Sequence, residues 1–385
     1  MILFSLLLLL ALIPYFLKKR LSSFVIILGL CFVTYFLFLI EFLTGNVDYL
    51  ISDGLKYFEE PEVWIANIDR SFWGYVNYVE KYWDPLGGIF IKIINIPILL
   101  LFLYYFQKTF PLIKSPYIFI FFYPYLLFLA ISNLRDLLIW LLAILIIRNY
   151  NKREINWYVF AVFCSIALYM LRPFMLATVW LAVIFFEIGP FIKNLITKIN
   201  VKRIASFLVF VLALGIVVFF ASPTIGKKIR SYQYNATYLV TKGYEERAKQ
   251  RRADGVIDAS NMPKAIFMSH VRYVLTPMPH AIVERMFSSE LSTEYGITSE
   301  ALRLYTQLVY YFILIWLLFN LRTVYRSLRI LVFEQKAFLL WLLAFLPIYS
   351  IAHFGGSHQR LKLPFQLLLL ILFIYSRHFK KMREI

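Results

Sequence analysis

Cysteine and charge are both scarce in this sequence. Of 385 residues, only Cys31 and Cys164 are cysteines, and both lie within apolar runs. We therefore expect neither a disulfide framework nor a cysteine metal site. Charged residues make up only 16% of the chain, apolar residues make up 61%, and the mean hydropathy is +0.71. Because apolar segments recur along the whole length without a repeat period, we predict a single all-α, polytopic membrane domain, 1–385.

Acidic residues are also few, 22 against 40 basic ones, which gives a formal net charge of +18. In a soluble protein this excess would favour nucleic acid as the partner. Here the cations lie mainly in short loops between apolar segments, where they are typical of topology determinants. We therefore expect the lipid bilayer, and no nucleic acid, as a partner.

The basic loops predict about eleven spans, with the N-terminus outside and the C-terminus in the cytoplasm. Met1–Leu17 is apolar and is followed by Lys18-Lys19-Arg20. This order is the reverse of a signal peptide, so the segment is predicted to be a retained first span. The other predicted spans are Phe24–Leu43, Gly87–Phe106, Tyr117–Ile131, Leu137–Ile147, Trp157–Met170, Met175–Phe186, Ile204–Ala221, Leu302–Phe319, Ala337–Ala352 and Pro364–Tyr375.

Two long loops, 44–86 and 222–300, are predicted on the outer face, each with amphipathic helices. In the second, a basic run precedes a predicted helix over Lys264–Val274. In the first, apolar residues recur at helical spacing, which predicts one helix along the interface with its aromatic rings among the headgroups. These residues are Trp64, Ile65, Ile68, Phe72 and Trp73.

Two charged turns, Ser132–Asp136 and Leu171–Phe174, each interrupt an apolar hairpin. Several of the apolar arms are short for a bilayer core of about 30 Å. A short arm that ends on Arg or Asp places that charge in the headgroup layer or in a wet cavity, because a charge that faces lipid is costly. The sequence therefore predicts a polar pocket near one membrane face.

Arginines from distant parts of the chain are predicted at the outer mouth of this pocket. Arg135, Arg172 and Arg360 would line it, and Arg251 and Arg272 of the second outer loop would fold over it. Guanidinium groups bind phosphate oxygens in a forked geometry and stay charged when desolvated. With an apolar groove beneath, they suit a ligand with an anionic head and a long apolar tail, such as a polyprenyl-diphosphate-linked glycan.

Transfer of the glycan would also need a base, and Asp53 and Asp136 are the candidate catalytic carboxylates. His353 and His358 are second candidates and possible substrate-binding groups. They flank a Gly-Gly turn without a third ligand at metal spacing, so we expect no metal site. Simpler interpretations stay open: a hairpin turn at Asp136, a solvated or capping Asp53, and a snorkelling Arg172.

Three segments resemble a known family. Tyr123–Asp136 (YPYLLFLAISNLRD), Leu171–Phe174 (LRPF) and Gln359–Pro364 (QRLKLP) are similar to bacterial O-antigen and capsular polysaccharide polymerases, including the EpsG-like group. The last segment also resembles the lipid-phosphate-dependent glycosyltransferases of the C-type fold.

The resemblance implies an enzyme of the bacterial cytoplasmic (inner) membrane that joins undecaprenyl-diphosphate-linked repeat units at the outer face. It implies no cofactor and no dedicated metal. By position, Arg135, Arg172 and Arg360 would hold the diphosphate, and Asp53 or Asp136 would act as base. A partner that regulates chain length is left open.

Two alternatives accompany this hypothesis. One is a C-type transferase that adds a single sugar from a polyprenyl-phosphate donor. The other is a lipid-linked oligosaccharide flippase or transporter, which should show charges within spans, an internal repeat or paired broken helices. In the sequence the charges lie at one face and no repeat is present, which favours an enzyme.

Overall fold

The computed structural model describes residues 21–45, 47–50, 52–67, 70–83, 89–152, 154–197, 262–287, 296–353 and 359–383. Every regular element in these residues is a helix, which confirms the all-α prediction for this part of the chain. The predicted spans Met1–Leu17 and Ile204–Ala221 and the basic run that includes Arg251 lie outside the described residues.

The helices are numbered in chain order. The first half of the chain contains α1 (Leu21–Leu43), α2 (Ser52–Glu59), α3 (Pro61–Ala66), α4 (Ser71–Trp83), α5 (Ile89–Ile93), α6 (Asn95–Thr109), α7 (Tyr117–Phe122), α8 (Tyr125–Ala130), α9 (Asp136–Lys152), α10 (Ile155–Leu171) and α11 (Pro173–Thr197). The second half contains α12 (Met262–Leu275), α13 (Pro279–Phe287), α14 (Gly296–Phe319), α15 (Leu321–Leu328), α16 (Phe333–His353) and α17 (Gln359–Arg383).

Within the described residues, four helical stretches are long and apolar enough to cross a membrane. They are Ser23–Leu43, Ile91–Thr109, Gly296–Phe319 and Gln359–Met382, while Ile155–Leu171 and Pro173–Glu187 are apolar but shorter. The chain thus carries the helices of a membrane protein, and the count of about eleven spans stays a prediction.

The predicted arm Tyr117–Ile131 is two helices, α7 and α8, which meet at Tyr123-Pro124. Pro124 offers no backbone N–H and restricts the residue before it. Tyr123 accordingly has φ −132° and ψ 70° and ends α7.

The predicted loop helix over Trp64–Trp73 is also two helices, α3 and α4, which pack against each other. A Cβ at Gly74 would lie 2.7 Å from the Ile65 nitrogen, so this close approach requires glycine. Trp73 is buried instead of lying among headgroups, because its side of α4 faces the turn that contains Asn133.

The helices divide into two compact units. The first comprises Met1–Leu181, Met278–Leu339 and Gln366–Ile385, and the second comprises Ala182–Pro277 and Leu340–Phe365. In the first unit the ring of Phe106 forms edge contacts with Phe102, Phe119 and Phe338 at centroid distances of 5.4, 4.5 and 5.6 Å. This aromatic cluster is the core against which α6 packs.

Polar contacts fix both ends of α6 within the first unit. At its start, the Asn95 amide bonds the turn between α8 and α9. At its end, the Gln335 amide donates to the Thr109 carbonyl at 2.8 Å and to the Tyr375 hydroxyl at 3.0 Å. Buried polar groups of this kind define how helices register against each other.

α14 and α17 run in the same direction within the first unit. Two side-chain contacts show this, since the residue numbers of both partners rise together: Gln307 with Gln366 at 3.2 Å and Trp316 with Phe373 at 4.9 Å. The end of α1 meets the start of α14, where the Glu41 carboxylate accepts from the Thr298 backbone N–H at 2.7 Å and from its hydroxyl.

In the second unit, the end of α12 lies beside the start of α17. The Tyr273 hydroxyl donates to the Leu361 carbonyl at 2.9 Å. The Lys362 ammonium donates to the carbonyls of Val274 and Thr276, both at 2.7 Å. α12 also confirms the helix predicted over Lys264–Val274.

Phe106→Ala should destabilise the protein, because removing a core phenylalanine costs about 3–5 kcal/mol. Phe106 is 0% exposed and Phe121 is 62% exposed, so Phe121→Ala is the matched control and should cost less than about 0.5 kcal/mol. The thermal midpoint in detergent, followed by size-exclusion chromatography, checks both. Equal midpoints for the two variants would contradict the described core.

Candidate functional site

The turn between α8 and α9 is buried although it is polar. Ser132, Asn133, Arg135 and Asp136 are all buried. The Asn95 amide donates to the carbonyls of Ser132 at 2.5 Å and Leu134 at 2.6 Å. Buried carbonyls without such donors are costly, so Asn95 is what lets this turn sit inside the unit.

The Asn133 side chain joins the turn to the predicted first outer loop. Its Oδ1 accepts from the Trp73 indole N–H at 3.1 Å, and its Nδ2 donates to the Gly54 carbonyl at 2.9 Å and to Asn77 Oδ1 at 2.6 Å. One carboxamide therefore bonds both α2 and α4. A Cβ at Gly54 would lie 3.1 Å from Asn133 Cβ and 3.2 Å from its carbonyl oxygen, so α2 approaches closely because residue 54 is glycine.

Arg135 points from this turn towards the end of α10. Its Nη1 donates to the Leu171 carbonyl at 2.5 Å, and its guanidinium lies 5.7 Å from the Tyr57 ring centroid. Burial, and next the neighbouring Arg172 cation, lower the pKa of Arg135 to about 10. The group still carries its charge at pH 7, in a place from which water is largely excluded.

Arg172 follows α10 directly and faces the start of α9. Its Nη1 lies 3.9 Å from Asp136 Oδ1, and its guanidinium lies 5.4 Å from the Phe174 ring centroid. Asp136 is the first residue of α9, where a carboxylate interacts favourably with the helix dipole. The two predicted charged turns are thus brought together around one carboxylate.

We define the arginine site as Arg135, Asp136, Arg172 and the Tyr57 ring. Arg70 contributes a further cation whose charge also lowers the pKa of Arg135; its guanidinium lies 4.5 Å from the Trp64 ring centroid. Two neighbouring guanidinium groups, each with an aromatic ring alongside, form an arrangement that suits a phosphate or diphosphate group.

Asp53 lies in α2, next to Gly54, whose carbonyl binds Asn133. Asp53, the candidate base, is therefore the neighbour in sequence of Gly54, which directly contacts the turn that carries Arg135. Its side chain lies outside the described part of the structure.

The remaining predicted residues belong to the second unit. Arg272 is half-buried in α12, where burial lowers its pKa. Arg360 is half-buried near the start of α17. The contacts of Tyr273 and Lys362 place these two segments side by side. His353 ends α16, and His358 lies outside the described residues.

Sequence reasoning missed the amides that hold the site. Asn95, Asn133 and Asn77 carry the polar contacts between turn and loop. A signal existed, because asparagine is rare within apolar segments and must be hydrogen-bonded when buried. Among the described residues, no group of three His, Cys, Asp or Glu side chains is close enough to hold a metal.

Three charged side chains within candidate spans are buried in the protein, and the sequence analysis did not single them out. Lys92 is buried in the candidate span Ile91–Thr109, with its ammonium 3.8 Å from the Phe38 ring centroid. Glu300 and Arg303 are buried in α14, where Arg303 Nη1 donates to the two carboxylate oxygens at 2.9 and 3.2 Å. The ion pair offsets the cost of burying Glu300 and Arg303, and the cation–π contact offsets that of burying Lys92. Average hydropathy along the sequence does not show such pairings.

Comparisons with known proteins assign no family. No protein-family model, curated protein or solved structure matches the chain.

Asn133→Ala should loosen the outer helices, because it leaves the Trp73 N–H and the Asn77 side chain without their buried partner, at about 1–3 kcal/mol. Hydrogen exchange of Ser52–Glu59 and Ser71–Trp83 should accelerate. Asn151→Ala is the control, since Asn151 binds Glu334 at 2.9 Å elsewhere in the unit. If both variants exchange like the parent, Asn133 does not dock these helices.

Proposed function

We propose that the chain is a membrane glycosyltransferase that polymerises undecaprenyl-diphosphate-linked oligosaccharide repeat units at the outer face of the bacterial cytoplasmic membrane. The observation that carries the proposal is the arginine site beside apolar helices, where Arg135 lies next to Arg172 and Arg172 faces Asp136. The site supplies cations for an anionic head, and the apolar helices suit a long lipid tail. The same two turns carry the resemblance to polysaccharide polymerases, from which the choice of substrate comes.

In the proposed reaction, an acceptor hydroxyl oxygen bonds to the anomeric carbon of the donor sugar. The bond from that carbon to the diphosphate oxygen breaks, and the diphosphate leaves on its lipid carrier. Arg135 and Arg172 would stabilise the charge that develops on the leaving oxygen. Asp136 already faces Arg172, so we assign it to positioning the arginines and assign Asp53 as the base that takes the hydroxyl proton.

A C-type transferase that adds one sugar would use the same site with a polyprenyl-phosphate donor, and it is the closest alternative. The flippase or transporter alternative is favoured by one observation, namely the buried charges of Lys92, Glu300 and Arg303 within candidate spans. A transporter pathway typically contains such charges. We prefer the enzyme because the two guanidinium groups lie together at helix ends, whereas the charges of a transport pathway lie within spans.

Arg172→Gln should weaken binding of undecaprenyl diphosphate, since a charge-assisted hydrogen bond contributes about 1.5–3 kcal/mol, or roughly 10- to 150-fold in affinity. Arg148→Gln is the matched control, because Arg148 Nη1 lies 3.7 Å from Glu334 Oε2 with similar exposure. Affinity is measured by titrating the purified protein with undecaprenyl diphosphate. Equal affinities for both variants would remove the basis of the proposed site.

Arg135→Gln in cells separates the enzyme from the transporter. The polymerase predicts that polymer is lost while single repeat units on the lipid carrier still reach the outer face. Arg148→Gln should leave polymer unchanged. The measurement is the length of surface glycan together with the accessibility of lipid-linked units to an external lectin. Units trapped in the cytoplasm would favour the flippase.

A further inference from the structure

α15 has three distinct faces. Leu321, Tyr325 and Leu328 follow the i, i+4, i+7 spacing of one helix face, and all three are exposed. Arg322, Arg326 and Arg329 repeat the same spacing one residue later, so a basic face adjoins the apolar face. The third face carries Ser327, which is buried against Ser376 of α17.

Two observations give the position of α15: its connection to α14 in the chain and its contact with α17. It begins after Asn320, where the candidate span Gly296–Phe319 ends. Its Ser327 hydroxyl lies 3.1 Å from that of Ser376, which follows the last apolar residues of α17. The helix thus lies where two parallel apolar helices change to polar sequence, as is expected at the boundary between hydrocarbon and headgroups.

Further cations accompany α15 at this level. Arg377, Lys380 and Lys381 are exposed on the last turns of α17. The Arg329 guanidinium lies 5.1 Å from the Tyr325 ring centroid, and that of Arg377 lies 5.6 Å from the Phe373 ring centroid. These stacked cations are held at the border of the apolar face, where lipid phosphates are found.

We infer that the basic face of α15 and the end of α17 form a binding surface for the phosphate headgroups of anionic phospholipids, with Leu321, Tyr325 and Leu328 inserted among the acyl chains. Exposed apolar and basic faces side by side are the pattern of an interfacial helix. Each cation near an anionic membrane surface contributes roughly a fivefold preference. The inference does not depend on the proposed catalytic function.

The alternative is that these cations only determine topology during insertion. They would then show no preference among lipids in the folded protein. A local chemical probe distinguishes the two, because it reports which lipid lies against the helix at equilibrium.

The test places the photoreactive amino acid p-benzoylphenylalanine at Tyr325 in the full chain, in nanodiscs of equal parts phosphatidylcholine and phosphatidylglycerol. After irradiation, mass spectrometry gives the ratio of the two lipids attached. We expect phosphatidylglycerol to be enriched about fivefold or more over phosphatidylcholine. The same probe at Phe121, an exposed residue of α7, should give a ratio near that of the bulk lipid.

Variants then assign the preference to α15. R322Q/R329Q should return the ratio at Tyr325 to near the bulk value, whereas R322K/R329K should retain the enrichment because the charges remain. K108Q/K152Q is the matched control, since Lys108 and Lys152 are exposed cations near Thr109 and Arg148. A bulk ratio in the parent, lipid captured at Phe121 but not at Tyr325, or an equal loss in K108Q/K152Q would each overturn the inference.

Discussion

The first unit depends on satisfying one buried polar turn. The turn between α8 and α9 places backbone carbonyls and four polar side chains among apolar helices, where each unsatisfied group would cost free energy. Asn95 donates to two of the carbonyls, and Asn133 uses both ends of its amide to bind α2 and α4. The same contacts that make burial of the turn tolerable therefore also dock the predicted outer loop.

Once the turn is fixed, the positions of the arginines follow. Arg135 is directed to the Leu171 carbonyl, and this brings it beside Arg172. Two cations held close in a place of low dielectric repel each other, which is part of the reason that the pKa of Arg135 is lowered. An anionic headgroup at this position would reduce the repulsion, which is why the proposed function assigns phosphate binding to these two arginines.

Composition and hydropathy predict the helical class, the two charged turns and most helix positions, because apolar runs and Arg or Pro breaks are local signals. α9 and α10 begin and end within a few residues of the predicted arms. The partners of Asn133 are 56 to 79 residues away in sequence, so no local pattern reveals them. The burial of Trp73 follows from that long-range contact, and this is why an interfacial tryptophan was the wrong expectation.

Hydrogen bonds at the two ends of α6 show where the arginine site and α15 lie within the first unit. Asn95 binds the arginine-bearing turn, and α6 runs from there to Thr109, about 20 Å away at 1.5 Å per residue. The Gln335 amide bonds both the Thr109 carbonyl and the Tyr375 hydroxyl. Tyr375 directly precedes Ser376, which contacts Ser327 of α15. The arginine site and the lipid-binding surface proposed for α15 thus lie at opposite ends of one helical unit. Because α6 separates the two sets of charges, the proposed binding of a lipid carrier and the proposed binding of phospholipid headgroups use different side chains and can be tested independently.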